Sequence, residues 1–101
     1  MNTKEFCKIT GQPERRIISW ADKGLLRPFE EMRATSMRRD YNQTDVEEVR
    51  IISCLTALGF NWHSVKNYLA IARSEGLVGE SHITLHISDY ATLTFDLDVM
   101  R

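Results

Sequence analysis

The chain has 101 residues, 43% of them hydrophobic and 27% charged, with a formal net charge of −1 at pH 7. That is enough for one domain with a modest core. A polar start, MNTKEFCKIT, and the lack of any long apolar run exclude a signal peptide and a membrane span, so a cytoplasmic protein with reduced thiols at Cys7 and Cys54 is expected.

The near-neutral sum hides an asymmetry. Residues 12–39 carry seven bases (Arg15, Arg16, Lys23, Arg27, Arg33, Arg38, Arg39) against four acids (Glu14, Asp22, Glu30, Glu31). From Glu75 onward there are five acids (Glu75, Glu80, Asp89, Asp96, Asp98) and one base, Arg101. Bases gathered in one half of a chain form an electrostatic footprint that a neutral total does not cancel.

In chain order, residues 4–9 read as a short helix with Thr3 as its N-cap and Phe6, Cys7 and Ile9 available to a core. Gly11 marks a turn. Pro13 suits a first helical position, because its missing N–H would have no partner there, and Gly24 suits the residue past a helix end. The spacing predicts a helix over residues 13–23, with Ile17, Trp20 and Ala21 on one face and Arg15, Arg16, Ser19 and Lys23 elsewhere. Two short helices around Ile9-Thr10-Gly11, the second carrying arginines near its start, make the pattern of a helix-turn-helix. The second is then the recognition helix.

Arg27-Pro28-Phe29 is extended, since the residue before proline is pushed away from the helical region. Residues 30–39 lack apolar periodicity and read as a loop or irregular hairpin. A third helix over residues 42–58 is capped by Asn42 or Thr44, with Asp45 and Glu47 three residues on, and buries Val46, Val49, Ile52 or Cys54, and Leu55. Asn61 caps a fourth helix over residues 62–73 that buries Val65, Tyr68, Leu69 and Ala72. The tail then changes period. Ile83, Leu85 and Ile87 alternate with polar residues, as do Leu93, Phe95, Leu97 and Val99, which predicts a β-hairpin turning around Asp89-Tyr90-Ala91. A lone hairpin is not stable, so its apolar face must cover its own helices or a second copy of the chain.

Residues from about Thr3 to Arg73 resemble the DNA-binding domain of the MerR family of bacterial transcription regulators. The resemblance is carried by Thr10-Gly11, Trp20, Lys23-Gly24-Leu25-Leu26-Arg27-Pro28, Arg39, Tyr41, Asp45 and Leu58-Gly59-Phe60 in that order and spacing. It implies a four-helix winged helix-turn-helix over residues 1–74; with the linker and C-terminal β-hairpin read from the alternation in residues 75–101, the expected fold is mainly α with a small β element. It also implies residues 13–23 in the major groove of DNA and residues 27–41 as the wing. Some positions depart from the family. Ile18 replaces an arginine of the recognition helix, Met37 and Arg38 replace a glycine and a tyrosine of the wing, and two extra residues precede Arg33. The long dimerisation helix and effector domain of the family give way to residues 75–80 and the hairpin, so no effector-sensing half is expected.

The resemblance sets Arg15 and Arg16 against phosphates or guanine edges, Ser19 and Lys23 further along the same helix, and Arg33, Arg38 and Arg39 on flanking phosphates. Tyr41 joins this DNA-facing set as the wing's final tyrosine, although its residue type, like that of Trp20, favours packing. His82 and His86 share a strand face without an acid in register and read as exposed polar positions rather than a metal site. No nucleophile–base pair, phosphate-cradling loop or paired carboxylate points to catalysis, so neither an enzyme nor a cofactor is expected. The expected function is sequence-specific binding of double-stranded DNA by a small transcriptional regulator, a homodimer through its hairpin. An excisionase-like DNA-bending protein and a chaperone-binding adaptor on the same fold are the alternatives.

Overall fold

The computed structural model describes residues 1–26 and 40–100. Among these, the elements are α1 (Thr3–Thr10), α2 (Glu14–Asp22), α3 (Gln43–Ala57), α4 (Trp62–Ser74), β1 (His82–Ser88), β2 (Ala91–Asp96) and a 3-10 turn (Leu97–Met100). The fold is mostly helical with one antiparallel two-stranded sheet, as the sequence predicts. The chain divides into two compact units, Met1–Val49 and Arg50–Arg101, with the boundary inside α3.

In the first unit, α1 starts one residue earlier than expected. Asn2, not Thr3, is the cap: its side chain accepts the Glu5 N–H at 2.9 Å, and the Glu5 carboxylate accepts the Asn2 N–H at 3.5 Å. Only Phe6 of the three apolar residues of α1 is buried; Cys7 is half-buried and Ile9 is 53% exposed. The helix ends at Gly11, whose φ of 71° lies in the left-handed region open to glycine and whose N–H returns to the Cys7 carbonyl.

Pro13 precedes α2 instead of opening it. Its ψ of 149° is extended, yet its carbonyl already accepts the Arg16 and Ile17 N–H groups, which is the work of a cap. At the other end Gly24, with φ 76°, lets Leu25 N–H reach back to the Trp20 carbonyl at 2.9 Å. This closes the helix and buries Leu25 and Leu26 alongside Ile17, Trp20 and Ala21.

Residues 40 and 41 return to the start of the chain. Tyr41 N–H donates to the Met1 carbonyl at 2.8 Å, and the Met1 amine donates to Asp40 Oδ1 and to the Tyr41 carbonyl. Asn42 then caps α3 in a reciprocal pair with Asp45: its side chain accepts the Asp45 N–H, and its own N–H donates to Asp45 Oδ2. Thr44 lies inside the helix. Residues Asp45 to Val49 are all buried, as are Ile51, Ile52 and Leu55, so α3 is buried on more than the single predicted stripe.

In the second unit, Asn61 caps α4 by accepting the Ser64 N–H, and Val65, Leu69 and Ala72 are buried. Tyr68 is half-buried, with Phe60 meeting its ring edge-on at 5.4 Å. The hairpin pairs His82 with Asp96, Thr84 with Thr94 and His86 with Thr92, with an irregularity between His86 and Ser88. Its β1 strand lies against α4, and Ile83, Leu85, Phe95 and Leu97 are buried within one chain. The apolar face of the hairpin is therefore covered within one chain and is not the spare surface that a dimer through that face requires. The predicted alternation through Val99 stops at Asp96, because Asp96 Oδ1 accepts the Asp98 N–H at 3.1 Å and turns the chain into the 3-10 segment.

Candidate nucleic-acid interface

The α1–Gly11–α2 hairpin holds the candidate surface. Ile17, Trp20 and Ala21 fix one side of α2 in the core of the first unit. At 3.6 residues per turn, Arg15, Ser19, Lys23 and Arg16 fall within an arc of roughly 100° on the opposite side. Arg15, Arg16 and Lys23 are exposed and Ser19 is half-buried. These four predicted residues are brought together on one face.

Two neighbours on that face were not singled out from sequence. Asp22 is exposed near the C-terminal end of the arc, and it weakens the cationic character there relative to the Arg15–Arg16 end. Gln12, just before Pro13, accepts a hydrogen bond from Arg16 Nη1 at 2.9 Å. The four-residue spacing of Gln12 and Arg16 is the signal that could have found this contact.

The remaining predicted contacts divide in two. Arg33, Arg38 and Arg39, with the loop read at residues 30–39 and the 27–41 wing apart from Asp40 and Tyr41, lie outside the described residues. Tyr41 is a correction. It is 2% exposed, and its ring stacks on Phe6 with centroids 4.0 Å apart and planes 6° from parallel, so it cannot face a ligand and belongs to the core. Of the described residues on either side, Leu26 is buried, and Asp40 and Tyr41 meet Met1 within the same unit.

Burial pushes the Cys7 thiol above its ordinary range, and Glu14 adds to the shift; burial does the same to Cys54. An acid does stand in register with His82, contrary to the sequence reading: Asp96 Oδ2 lies 3.6 Å from His82 Nε2 across the hairpin. Both are exposed, and among the described residues no group of three or more His, Cys, Asp or Glu side chains is arranged for a metal ion. No helix among them is long and apolar enough to cross a membrane.

Two short helices joined by a glycine turn, the second bearing arginines, define a helix-turn-helix protein. Residues 1–71 match the family described as MerR HTH family regulatory protein, and the chain belongs to that family. It is 30% identical over 71 residues to the "Probable heavy metal-dependent transcriptional regulator" of Haemophilus influenzae, covering 70% of this chain and 54% of that protein. It is 34% identical over 71 residues to the "HTH-type transcriptional regulator HmrR" of Rhizobium leguminosarum bv. viciae, covering 70% and 53%. The chain thus spans about half the length of the curated relatives it matches. No solved structure matches it.

Proposed function

We propose that this chain binds double-stranded DNA in a sequence-dependent way as a small transcriptional regulator of MerR type. The observation that carries this reading is the arc formed by exposed Arg15, Arg16 and Lys23 with half-buried Ser19, on a helix whose other side is buried in the core. A helix of that kind fits the major groove, its N-terminal residues reaching base edges and phosphates. Residues 1–74 form the DNA-binding part. Arg33, Arg38 and Arg39 sit on flanking phosphates in this reading, and residues 75–101 supply an attached element.

One such domain reads a short half-site, so useful specificity calls for two copies. We assign the contact between copies to the hairpin. Since its inner face is taken, the contact uses a strand edge. Light scattering that gives a monomer at high protein concentration overturns this part alone.

The test of the main reading is fluorescence anisotropy against a random duplex pool at several salt concentrations, followed by sequencing of the bound fraction. Steeply salt-dependent binding with an enriched, paired motif is the expected result. Salt-dependent binding without enrichment replaces the regulator with an architectural, excisionase-like protein. No binding at low salt overturns the DNA reading in favour of a protein-binding adaptor.

A further inference from the structure

Gln12 and Arg16 flank the start of α2, and their side chains meet outside the core: Arg16 Nη1 donates to Gln12 Oε1 at 2.9 Å. Gln12 is half-buried and Arg16 is exposed. We propose that the two act as one guanine-reading unit, in which Arg16 contacts the base and Gln12 is the positioning residue that holds its guanidinium. This rests on the DNA reading above and adds the base class that the helix selects.

The argument is one of donors and acceptors. A glutamine acting alone can pair with adenine, its carbonyl accepting from N6 and its amide donating to N7. Here that carbonyl already accepts from Arg16 Nη1, so the donors of the pair that matter for a base are those of the Arg16 guanidinium. Guanine is the base whose major-groove edge offers two acceptors side by side, O6 and N7, and the planar arginine fork matches both. Adenine and cytosine place a donor in the way. The Gln12 contact also orders a long side chain before binding, so less freedom is lost when the base is engaged.

A phosphate would accept the same donors, so base preference is the informative readout and affinity alone is not. The full chain and its variants are taken through selection from a random duplex pool, then measured against the best site and its single-base changes at fixed salt. The wild type should enrich guanine at one position of each half-site. Arg16→Lys keeps the charge and loses the fork, and should cut that preference by on the order of 5- to 150-fold while the salt dependence stays. Gln12→Ala should lower the preference at the same position by about 2- to 10-fold. Circular dichroism checks that each variant keeps its helices, and Gln12→Met, similar in shape without the acceptor, stands in if Gln12→Ala does not fold.

The inference is overturned if Gln12→Ala leaves the guanine preference at that position unchanged or alters the preference at a different one. It is also overturned if Arg16→Lys weakens all duplexes equally, the mark of a phosphate contact. A wild-type chain that binds no duplex overturns the DNA reading itself, an outcome distinct from either.

Discussion

Phe6 and Tyr41 are 35 residues apart in sequence and lie face to face, ring centroids 4.0 Å apart and planes 6° from parallel. Both are buried, and the stack joins the first helix to the residue that leads into α3. Removing either ring leaves a large cavity, so Phe6→Ala and Tyr41→Ala should each destabilise by about 3–5 kcal/mol in urea unfolding. Tyr41→Phe should behave differently. Its hydroxyl is buried without a hydrogen-bond partner among the described residues, so removing it should leave stability unchanged or raise it by up to about 1 kcal/mol. A clear loss of stability in Tyr41→Phe would falsify the claim that this hydroxyl is unpaired.

A second prediction separates the two candidate caps of α3. The reciprocal Asn42–Asp45 hydrogen bonds, at 3.0 and 2.9 Å, satisfy donors at the helix start. Asn42→Ala should therefore cost about 0.5–2 kcal/mol, whereas Thr44→Ala, at an exposed position inside the helix, should fall within about 0.5 kcal/mol of the wild type. Melting temperatures of the two variants decide it. The reverse order would move the helix start to Thr44.

Which parts of this structure were legible in the sequence follows from the range of the interactions. The α2 helix announced itself locally: Gly24, the Ile17–Trp20–Ala21 face and Pro13 all act within a few residues, and only the role of Pro13 shifted by one position. The hairpin was equally plain from its two-residue period. Its early end was not, because Leu97 and Val99 continue the alternation while a single Asp96–Asp98 hydrogen bond redirects the backbone. Tyr41 was ambiguous because its burial depends on Phe6 and Met1, and nothing in the local pattern brings residue 41 back to the chain start. The burial of Asp45, Glu47 and Glu48 was missed for a similar reason: charge marks a solvated face until other elements cover it. On the candidate interface, the Arg15–Arg16 cluster was readable from helical spacing. The Gln12 contact needed a side-chain conformation.

The thiols give a pH prediction with a definite sign. The folded pKa of both Cys7 and Cys54 is raised from the ordinary 9.0, chiefly by burial. Well below pH 9 both states hold these protons and the thiols add no pH dependence. Above it, the unfolded chain ionises first, so stability falls as pH rises through 9 towards the folded-state values. The difference in unfolding free energy between the wild type and a Cys7→Ala/Cys54→Ala variant should be nearly flat from about pH 7 to 8 and turn against the wild type as the pH passes 9. Alkylation of the native thiols should likewise be slower at neutral pH than that of a free cysteine. Fast labelling at pH 7 would contradict the burial argument.

The proposed contact between copies yields the last prediction, and the geometry of the hairpin decides which edge to test. The Leu97 N–H donates to the Ser81 carbonyl at 2.7 Å, so hydrogen-bonded pairs recur at alternate positions along the ladder. The backbone groups of Thr92, Thr94 and Asp96 consequently point away from β1. Edge strands are commonly protected by lysine, proline or a bulge, and β2 contains no lysine, arginine or proline; the irregularity of the hairpin falls in β1 between His86 and Ser88. Two β2 strands paired antiparallel about Thr94 would set Thr94 opposite its counterpart and Asp96 opposite Thr92, with no like charges facing. A Thr94→Lys variant would oppose two ammonium groups at the centre of that pairing. It gives up the exposed hydroxyl contact between Thr84 and Thr94 and little else within one chain. Sedimentation equilibrium should therefore show a dimer for the wild type and a folded monomer for Thr94→Lys. Anisotropy should show the variant losing affinity for paired half-sites while binding a single half-site as the wild type does. A Thr94→Lys protein that stays dimeric moves the contact to another surface.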